Sequence, residues 1–317
     1  MTDIALFIDS TTIMPEYMMR EHDVTVMPVP IYARGREYRD GVDITAEEFV
    51  SLLETSTERP STAVPGLGEF QSYYEQLLDQ HQAILYPVPS LRLTGLYDAA
   101  IQAAEQIQGT SIIAVDPPGD WEKTAYAVRS DDPGLEDRLQ ALASLPPPIV
   151  AVMNTGYASG ASGLVAMAAL GAMDKGNPLE EIIRSMITAK RNTNIYFILN
   201  TLEYIVDRVG QLGAFLGTLL RIKPILTFKD GILEDAARVR GKTQAKRRMI
   251  ELLKRRADGR PVDVYVLHSL APDEATDLLE QARSAVNVRH AWVDDIGASV
   301  SRYTGRGGLG VAFTIVP

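Results

Sequence analysis

The sequence contains no cysteine and only four histidines among its 317 residues. Without cysteine, disulfide bonds, thiolate metal ligands and cysteine nucleophiles are excluded. The histidines are His22, His81, His268 and His290, and no two of them have the spacing of a helical metal-binding pair. We therefore expect no metal site and no cofactor.

Positive charge and long apolar runs are also scarce. The 31 lysines and arginines are outnumbered by 41 acidic residues, and the formal net charge of −10 opposes nonspecific binding to nucleic acid or to an anionic membrane. No apolar run approaches the roughly 20 residues that span a bilayer. The first residues also lack a basic region followed by an apolar stretch. We expect a cytoplasmic protein that binds no nucleic acid and does not insert stably into a membrane.

Short apolar segments alternate with helical patterns, which predicts an α/β fold with a doubly wound, mainly parallel sheet. Because the chain is too long for one typical core, we expect an N-terminal α/β domain at residues 1–160, a C-terminal α/β domain at residues 161–317, and a ligand cleft between them. Proline-rich residues 117–148 are interpreted as an excursion that contains one helix.

The expected strands are residues 4–8, 24–32, 83–88, 111–116, 149–153, 196–199, 224–227, 262–267, 289–293 and 311–315. The expected helices begin at Thr45, with Glu48 completing a capping box, at Leu96, Ser162 and Leu179, and near Thr201.

Hydroxyl side chains recur at the predicted turns. Thr62 lies in a proline-flanked turn at residues 60–66, Thr94 precedes a predicted helix, and Tyr303 begins a glycine-rich turn at residues 303–308. Ser10 follows the first strand, at the sheet edge where open α/β sheets bind ligands, and His268 ends an apolar strand. Such groups can hold an anion by hydrogen bonds without attacking it. No obvious base accompanies them in the sequence.

Each of these side chains also has a purely structural interpretation. Ser10 and Thr94 are suited to capping the helices that follow them, and Thr62 to forming a local turn with its hydroxyl. His268 is equally compatible with a buried structural role. From the residues alone, both interpretations stay open.

One basic run, residues 238–256, stands out in this acidic chain. Nine lysines and arginines lie in it, among them Arg240 and Lys242. At helical spacing such residues mostly form a solvated face, and the alternative is a contact surface for a partner or a phosphate.

Taken together, these segments resemble the DegV family of fatty-acid-binding proteins. The resemblance covers nearly the whole chain and depends on an ordered set of motifs. These are Phe7 to Thr11 with its Asp-Ser-Thr turn, Tyr38 to Thr45, the turn with Thr62, Leu93-Thr94-Gly95-Leu96-Tyr97, residues 200–213, Ile222 to Leu226 and Gly305 to Phe313.

The resemblance implies two α/β domains that enclose an acyl chain, with hydroxyl groups binding its carboxylate. Thr62 and Thr94 are the first choices for the carboxylate, assisted by Tyr303, Ser10 and His268. The resemblance also implies that the bound long-chain fatty acid is presented to a separate fatty acid kinase, which phosphorylates its carboxylate. Gln211, Arg240 and Lys242 are the residues we assign to docking of that partner.

Four departures from the family pattern concern these same regions. Ala63 and Val64 replace a serine and a glutamine after Thr62. Tyr303 stands where the family usually has histidine, and Arg306 replaces a proline. Gln211 occupies the position of an arginine that is linked to kinase docking. Residues 117–148 also look like an insertion of about 30 residues.

Two other functions compete with fatty-acid binding. The first is a hydrolase or phosphotransferase that uses a hydroxyl of Ser10, Thr62 or Thr94, with His268 or a carboxylate as base. The second is an interaction protein that uses the basic run.

Overall fold

The computed structural model describes residues 3–118, 126–201, 203–205 and 222–316. Within them, the N-terminal part contains a six-stranded sheet in which every neighbouring pair is parallel. Across the sheet, the strands are β2 (Thr25–Met27), β1 (Ile4–Asp9), β6 (Ala83–Val88), β9 (Ile149–Asn154), β7 (Ser111–Val115) and β8 (Tyr126–Val128). The prediction of a mainly parallel sheet is confirmed.

Helices cover both faces of this sheet. They are α1 (Glu16–Glu21), α3 (Leu67–Leu78), α4 (Leu96–Glu105), α5 (Leu135–Leu142), α6 (Ser159–Met173) and α7 (Leu179–Asn192). Helix α2 (Ala46–Thr55) lies apart from this sheet and packs with Ile31 and Ala298. Strand residues alternate between the two faces, so that Leu6 and Ile8 pack towards α6 and α7 whereas Phe7 packs towards α3 and α4. Because both faces are buried, the strands read as nearly continuous apolar runs.

The C-terminal part contains a second six-stranded sheet, which is mixed. Its strands across the sheet are β12 (Ile232–Arg240), β11 (Ile222–Lys229), β10 (Thr193–Ile198), β15 (Leu309–Ile315), β13 (Val262–His268) and β14 (Val288–Asp295). Among these pairs, β13 and β14 are parallel and the others are antiparallel. One face is covered by α8 (Lys242–Ala257) and α9 (Pro272–Ala285). The short helix α10 (Gly297–Thr304) precedes β15.

Helix α6 lies between the two sheets and contacts both. Its apolar residues surround the helix on all sides, which is typical of a fully buried helix. Val165 and Ala169 pack on the N-terminal sheet, whereas Ala161 and Leu164 pack on the inner face of the C-terminal sheet. Because Gly163 has no side chain, α6 can lie directly against the backbone of Ile13; a Cβ atom at Gly163 would be 1.9 Å from the carbonyl oxygen of Ile13. The two sheets are therefore joined through one shared helix.

The segment at residues 24–32 differs from its prediction as one strand. It forms β2 and then β3 (Pro30–Ala33), which belongs to a separate antiparallel sheet with β4 (Arg36–Arg39) and β5 (Ser61–Thr62). Pro28 separates the two strands because it has no N–H to donate to a sheet. The strand β5 was not predicted, and it places Thr62 opposite Ile31.

The basic run is only partly helical, which corrects the sequence interpretation. Arg238 and Arg240 lie in β12, and α8 begins at Lys242 after Gly241. The sequence pattern also missed α10, so that Tyr303 lies in the last turn of a helix instead of opening a turn. The helix expected near Thr201 falls mostly outside the described residues.

The proline-rich excursion contains the expected helix, α5, but also β8, which extends the parallel sheet beside β7. The domain boundary at residue 160 stays a prediction; α6 and α7, which follow it, pack on the N-terminal sheet. No helix within the described ranges is long and apolar enough to cross a membrane. A cytoplasmic location stays a prediction.

Candidate functional site

A cavity of about 330 Å³ lies between the hydroxyl-bearing turns of the N-terminal part and the inner face of the C-terminal sheet. This volume falls within the range of small-molecule sites. Most of its wall is apolar and comes from the C-terminal part: Ile195, Phe197, Phe228, Leu233, Leu267 and Leu309. The cavity is thus suited to an extended apolar ligand.

Aromatic rings form part of that wall. Phe197 and Phe228 are stacked, with ring centroids 6.0 Å apart and an interplanar angle of 29°. Tyr157 meets Phe228 edge to face at 6.3 Å. These contacts hold Phe228 in place from two sides, so the wall has a defined shape.

Thr62 and Tyr303 meet at the cavity although 241 residues separate them in the sequence. Thr62 lies in β5, Tyr303 in the last turn of α10, and a hydrogen bond of 3.2 Å joins their hydroxyl oxygens. Both residues line the cavity. The structure therefore brings two of the predicted residues together, and either hydroxyl can turn its proton towards a ligand oxygen.

Thr94 lines the same cavity from the turn between β6 and α4. Its Oγ1 accepts a hydrogen bond of 3.3 Å from the Leu96 N–H, which is the local contact expected of a structural threonine. Because the hydroxyl acts as an acceptor there, its own proton can still be donated to an anion. The turn of Thr94 lies against that of Thr62, since a Cβ atom on Gly95 would be 3.5 Å from Val64.

Ser10 has a different position. It is absent from the cavity lining among the described residues, and its Oγ donates to Asp40 Oδ2 at 2.8 Å while accepting from the Val29 N–H at 3.0 Å. Asp40 also accepts from the N–H groups of Ala298 and Ser299, at 3.2 and 3.3 Å. Ser10 and Asp40 thus attach the start of α10 to the N-terminal part, and α10 carries Tyr303.

Burial raises the pKa of Asp40, although the hydrogen bonds from Ser299, Ser10 and Ala298 oppose this shift. The side chain is almost fully buried, at 4% exposure. An ionised carboxylate at this position is stabilised by those donors but is removed from water. The protonation of Asp40 therefore affects the hydrogen bonds that hold the start of α10.

His268 lines the cavity at the end of β13, as its position in the sequence indicated. Its Nδ1 lies 3.3 Å from Asp295 Oδ2. Burial acts to raise the pKa of Asp295, but hydrogen bonds from His268, Leu270 and Gly297 outweigh it and lower that pKa. A histidine beside a carboxylate supplies two of the three members of a catalytic triad.

A nucleophile would have to contact this histidine, and the hydroxyl candidates have other partners. Ser10 bonds to Asp40, Thr62 to Tyr303, and Thr94 to the Leu96 N–H. Among the described residues, no three or more metal-ligating side chains converge. The arrangement fits anion binding better than acyl transfer.

Two of the residues assigned to partner docking, Arg240 and Lys242, are absent from the described cavity lining. Gln211 is outside the described residues. Arg240 is exposed at the end of β12, and the Lys242 ammonium pairs with Glu274 at 2.6 Å. Arg306 forms an exposed ion pair of 3.0 Å with Glu54 on α2. Their role in docking stays a prediction.

Several lining residues were missed in the sequence. Ser299 and Thr304 line the cavity from α10, which was not predicted. The Asp-Ser-Thr turn after β1 contributes Thr11 to the lining instead of Ser10, and the Thr11 hydroxyl donates to Asp9. The apolar wall could not be predicted from the sequence, because Phe197 and Leu267 lie in strands whose pattern of apolar residues is the same as that of any strand in a core.

Comparison with known proteins identifies the family. The model of a family described as "Uncharacterised protein, DegV family" matches residues 3–315. The chain belongs to the DegV family. A DegV domain-containing protein of Streptomyces coelicolor is 27% identical over 313 residues, which are 97% of this chain and 97% of the relative.

Solved structures of DegV proteins share the fold. A DegV family protein from Thermus thermophilus, described by its fatty acid binding, has a TM-score of 0.83 and 26% identity, covering 99% of this chain and 100% of its own. DegV from Bacillus subtilis, described as a fatty acid binding protein, has a TM-score of 0.79 and 22% identity, covering 100% of both chains. The resemblance to the DegV family and the predicted α/β fold class are confirmed.

Proposed function

We propose that this protein binds a long-chain fatty acid without catalysing a reaction on it. The acyl chain occupies the apolar part of the cavity, and the carboxylate lies at Thr62 and Thr94. The observation that carries the proposal is a cavity with mostly apolar walls into which two adjacent hydroxyl-bearing turns project. The Thermus thermophilus relative, described by its fatty acid binding, supports the same ligand class.

The energetics favour such a ligand. Burial of each methylene contributes about 0.8 kcal/mol, so that a long acyl chain contributes roughly 10 kcal/mol. A carboxylate removed from water must accept hydrogen bonds, or much of this gain is lost. Thr62, Thr94 and Tyr303 are the proposed donors, with His268 nearby on the lining. Ser10 contributes indirectly, because it helps to hold α10 in place.

We further propose that the bound acid is presented to a separate fatty acid kinase. The turns that carry Thr62 and Thr94 are accessible at the surface, where Val64 is 38% exposed and Gly95 is exposed. A carboxylate held by these turns is close to solvent, whereas the acyl chain is enclosed. This arrangement suits a carrier whose ligand is modified at its head group by a partner protein.

The double variant Thr62→Val/Thr94→Val tests the carboxylate site. Valine keeps the branched shape but removes the hydroxyl, and hydrogen bonds to a charged group contribute about 1.5–3 kcal/mol each. We expect palmitate affinity, measured by isothermal titration calorimetry, to fall roughly a hundredfold or more.

Thr110→Val is the matched control. Thr110 Oγ1 is buried without a hydrogen-bond partner among the described residues, and Thr110 is not on the described cavity lining. We expect this variant to bind palmitate as the unmodified protein does. Equal palmitate affinity in the double variant and in the control would contradict the assigned head-group site.

A further inference from the structure

The structure assigns a gate to the cavity: we propose that the β11–β12 hairpin, residues 222–240, opens at its tip to admit and release the ligand. This inference rests on the proposed function, because it concerns the path of the bound fatty acid. Two hairpin residues, Phe228 and Leu233, line the cavity. They are paired opposite each other in the hairpin, so one face of the hairpin forms a section of the cavity wall.

The hairpin is more firmly joined within itself than to the rest of its sheet. Its two strands pair at eight positions from Ile222–Arg240 to Lys229–Ile232, whereas β10 pairs with β11 at Phe197 and Leu226. Strand β12 forms the edge of the sheet. Elements with few attachments open at low free-energy cost.

The half of the hairpin that carries the tip begins at a candidate hinge. The pairing register shifts between Ile225 and Leu226, which marks a β-bulge. Bulges bend a strand and interrupt its ladder. Beyond this point the hairpin extends towards the N-terminal part, so that a small rotation at the bulge moves Phe228 and Leu233 away from the cavity.

One hydrogen bond fastens the hairpin tip across the cavity to the N-terminal part. Ser90 Oγ, which is fully buried, donates to the carbonyl oxygen of Gly231 at 2.7 Å. Gly231 has a φ of +77°, and a Cβ atom there would lie 2.5 Å from Ser90 Oγ. On the cavity face of the hairpin, Phe228 contacts the rings of Phe197 and Tyr157, and an acyl chain can replace such apolar contacts as it passes.

The other walls are less able to move. Ile195, Leu267 and Leu309 lie on β10, β13 and β15, in the interior of the C-terminal sheet. Opening between these strands would break continuous ladders, such as the six pairs that join β10 to β15. The hairpin tip, with one interdomain hydrogen bond, is therefore the section of the described wall that opens most easily.

A reversible crosslink tests the gate. In Ser90→Cys/Gly231→Cys, the two Cβ positions are 3.6 Å apart, which is within the range of disulfides, and the disulfide has to overcome the backbone strain of a side chain at a φ of +77°. The chain has no other cysteine. The protein is loaded with cis-parinaric acid, oxidised, and mixed with phosphatidylcholine vesicles. We expect release to slow at least tenfold on oxidation and to recover fully when the disulfide is reduced.

The control crosslink is Thr227→Cys/Glu234→Cys, which joins the two strands of the hairpin at a directly opposed pair without fastening its tip. Oxidation of this variant should leave release unchanged. In a third variant, Ser90→Ala removes the donor without introducing a thiol. It should release ligand about fivefold faster, the factor that one ordinary hydrogen bond supplies.

Equal release rates before and after oxidation of the Ser90→Cys/Gly231→Cys variant would overturn the gate while leaving the proposed function intact. If that variant fails to fold, an unchanged release rate in Ser90→Ala overturns the gate instead. If the unmodified protein binds no parinaric acid, the proposed function itself fails, and the gate fails with it.

Discussion

The polar and apolar walls of the cavity differ in where they lie on the fold. Thr62, Thr94 and Tyr303 lie at the ends of elements: in a two-residue strand, in a turn before a helix, and in the last turn of α10. The apolar wall comes from the faces of extended strands, as at Ile195 and Leu267. Under the proposed function, the groups assigned to the carboxylate thus lie where backbone and solvent are accessible, and the groups assigned to the acyl chain lie within the sheet.

Under the proposed function, this difference implies two separable sources of affinity for the fatty acid. The apolar wall contributes in proportion to the area that the ligand buries. The polar wall contributes through a few hydrogen bonds, and mainly decides which head group is accepted. Experiments that change the acyl chain or the head group of the ligand can therefore measure the contribution of each wall separately.

A ligand series should give the larger effect. Shortening palmitate by four methylenes removes about 3 kcal/mol of apolar burial, which is a loss of roughly 200-fold in affinity. Replacing the carboxylate by a hydroxymethyl group at constant chain length should cost about 2 kcal/mol, or roughly thirtyfold, since a charged acceptor is lost. Both values can be measured by displacement of a fluorescent fatty acid. An affinity that is independent of chain length would contradict the role of the apolar wall.

A smaller effect is expected from Asp40, which holds α10 at the polar wall. Its pKa is raised by burial, so the ionised form costs stability at neutral pH, and that cost disappears as the pH falls through the raised pKa towards the unfolded value near 3.8. The cost does not arise in Asp40→Asn. We therefore expect the free energy of unfolding of the natural protein to increase relative to that of the variant as the pH falls from 7 to 4.

Urea unfolding of both proteins at a series of pH values measures this difference. Other titrating groups contribute equally to the two proteins and cancel in the comparison. If the difference in the free energy of unfolding does not change with pH, or if acidification stabilises Asp40→Asn more than the natural protein, burial does not raise the pKa of Asp40.

Much of the fold and part of the site could be predicted from the sequence, for identifiable reasons. The buried parallel strands are continuous apolar runs, and the capping box of Thr45 and Glu48 forms as its residues indicated. Thr62 and Thr94 were identified because turn chemistry is local. In contrast, the approach of Tyr303 to Thr62 depends on how α10 packs against the N-terminal part, which no local pattern records.

The missed elements share a physical cause. β5 has two residues and β8 has three, so neither is long enough to show an alternating pattern. α10 has eight residues, begins at a glycine and is held at its N-terminus by the distant side chain of Asp40. Its stability comes from tertiary contacts instead of intrinsic helix propensity. The apolar wall also depends on tertiary contacts, because it forms only when the two parts of the chain pack together.

Native mass spectrometry of the gently purified protein tests the central claim most directly. We predict a population that is heavier than the polypeptide by the mass of one long-chain fatty acid, together with one-to-one uptake of added palmitate by the unloaded remainder. A protein that is consistently empty and takes up no palmitate would contradict fatty-acid binding.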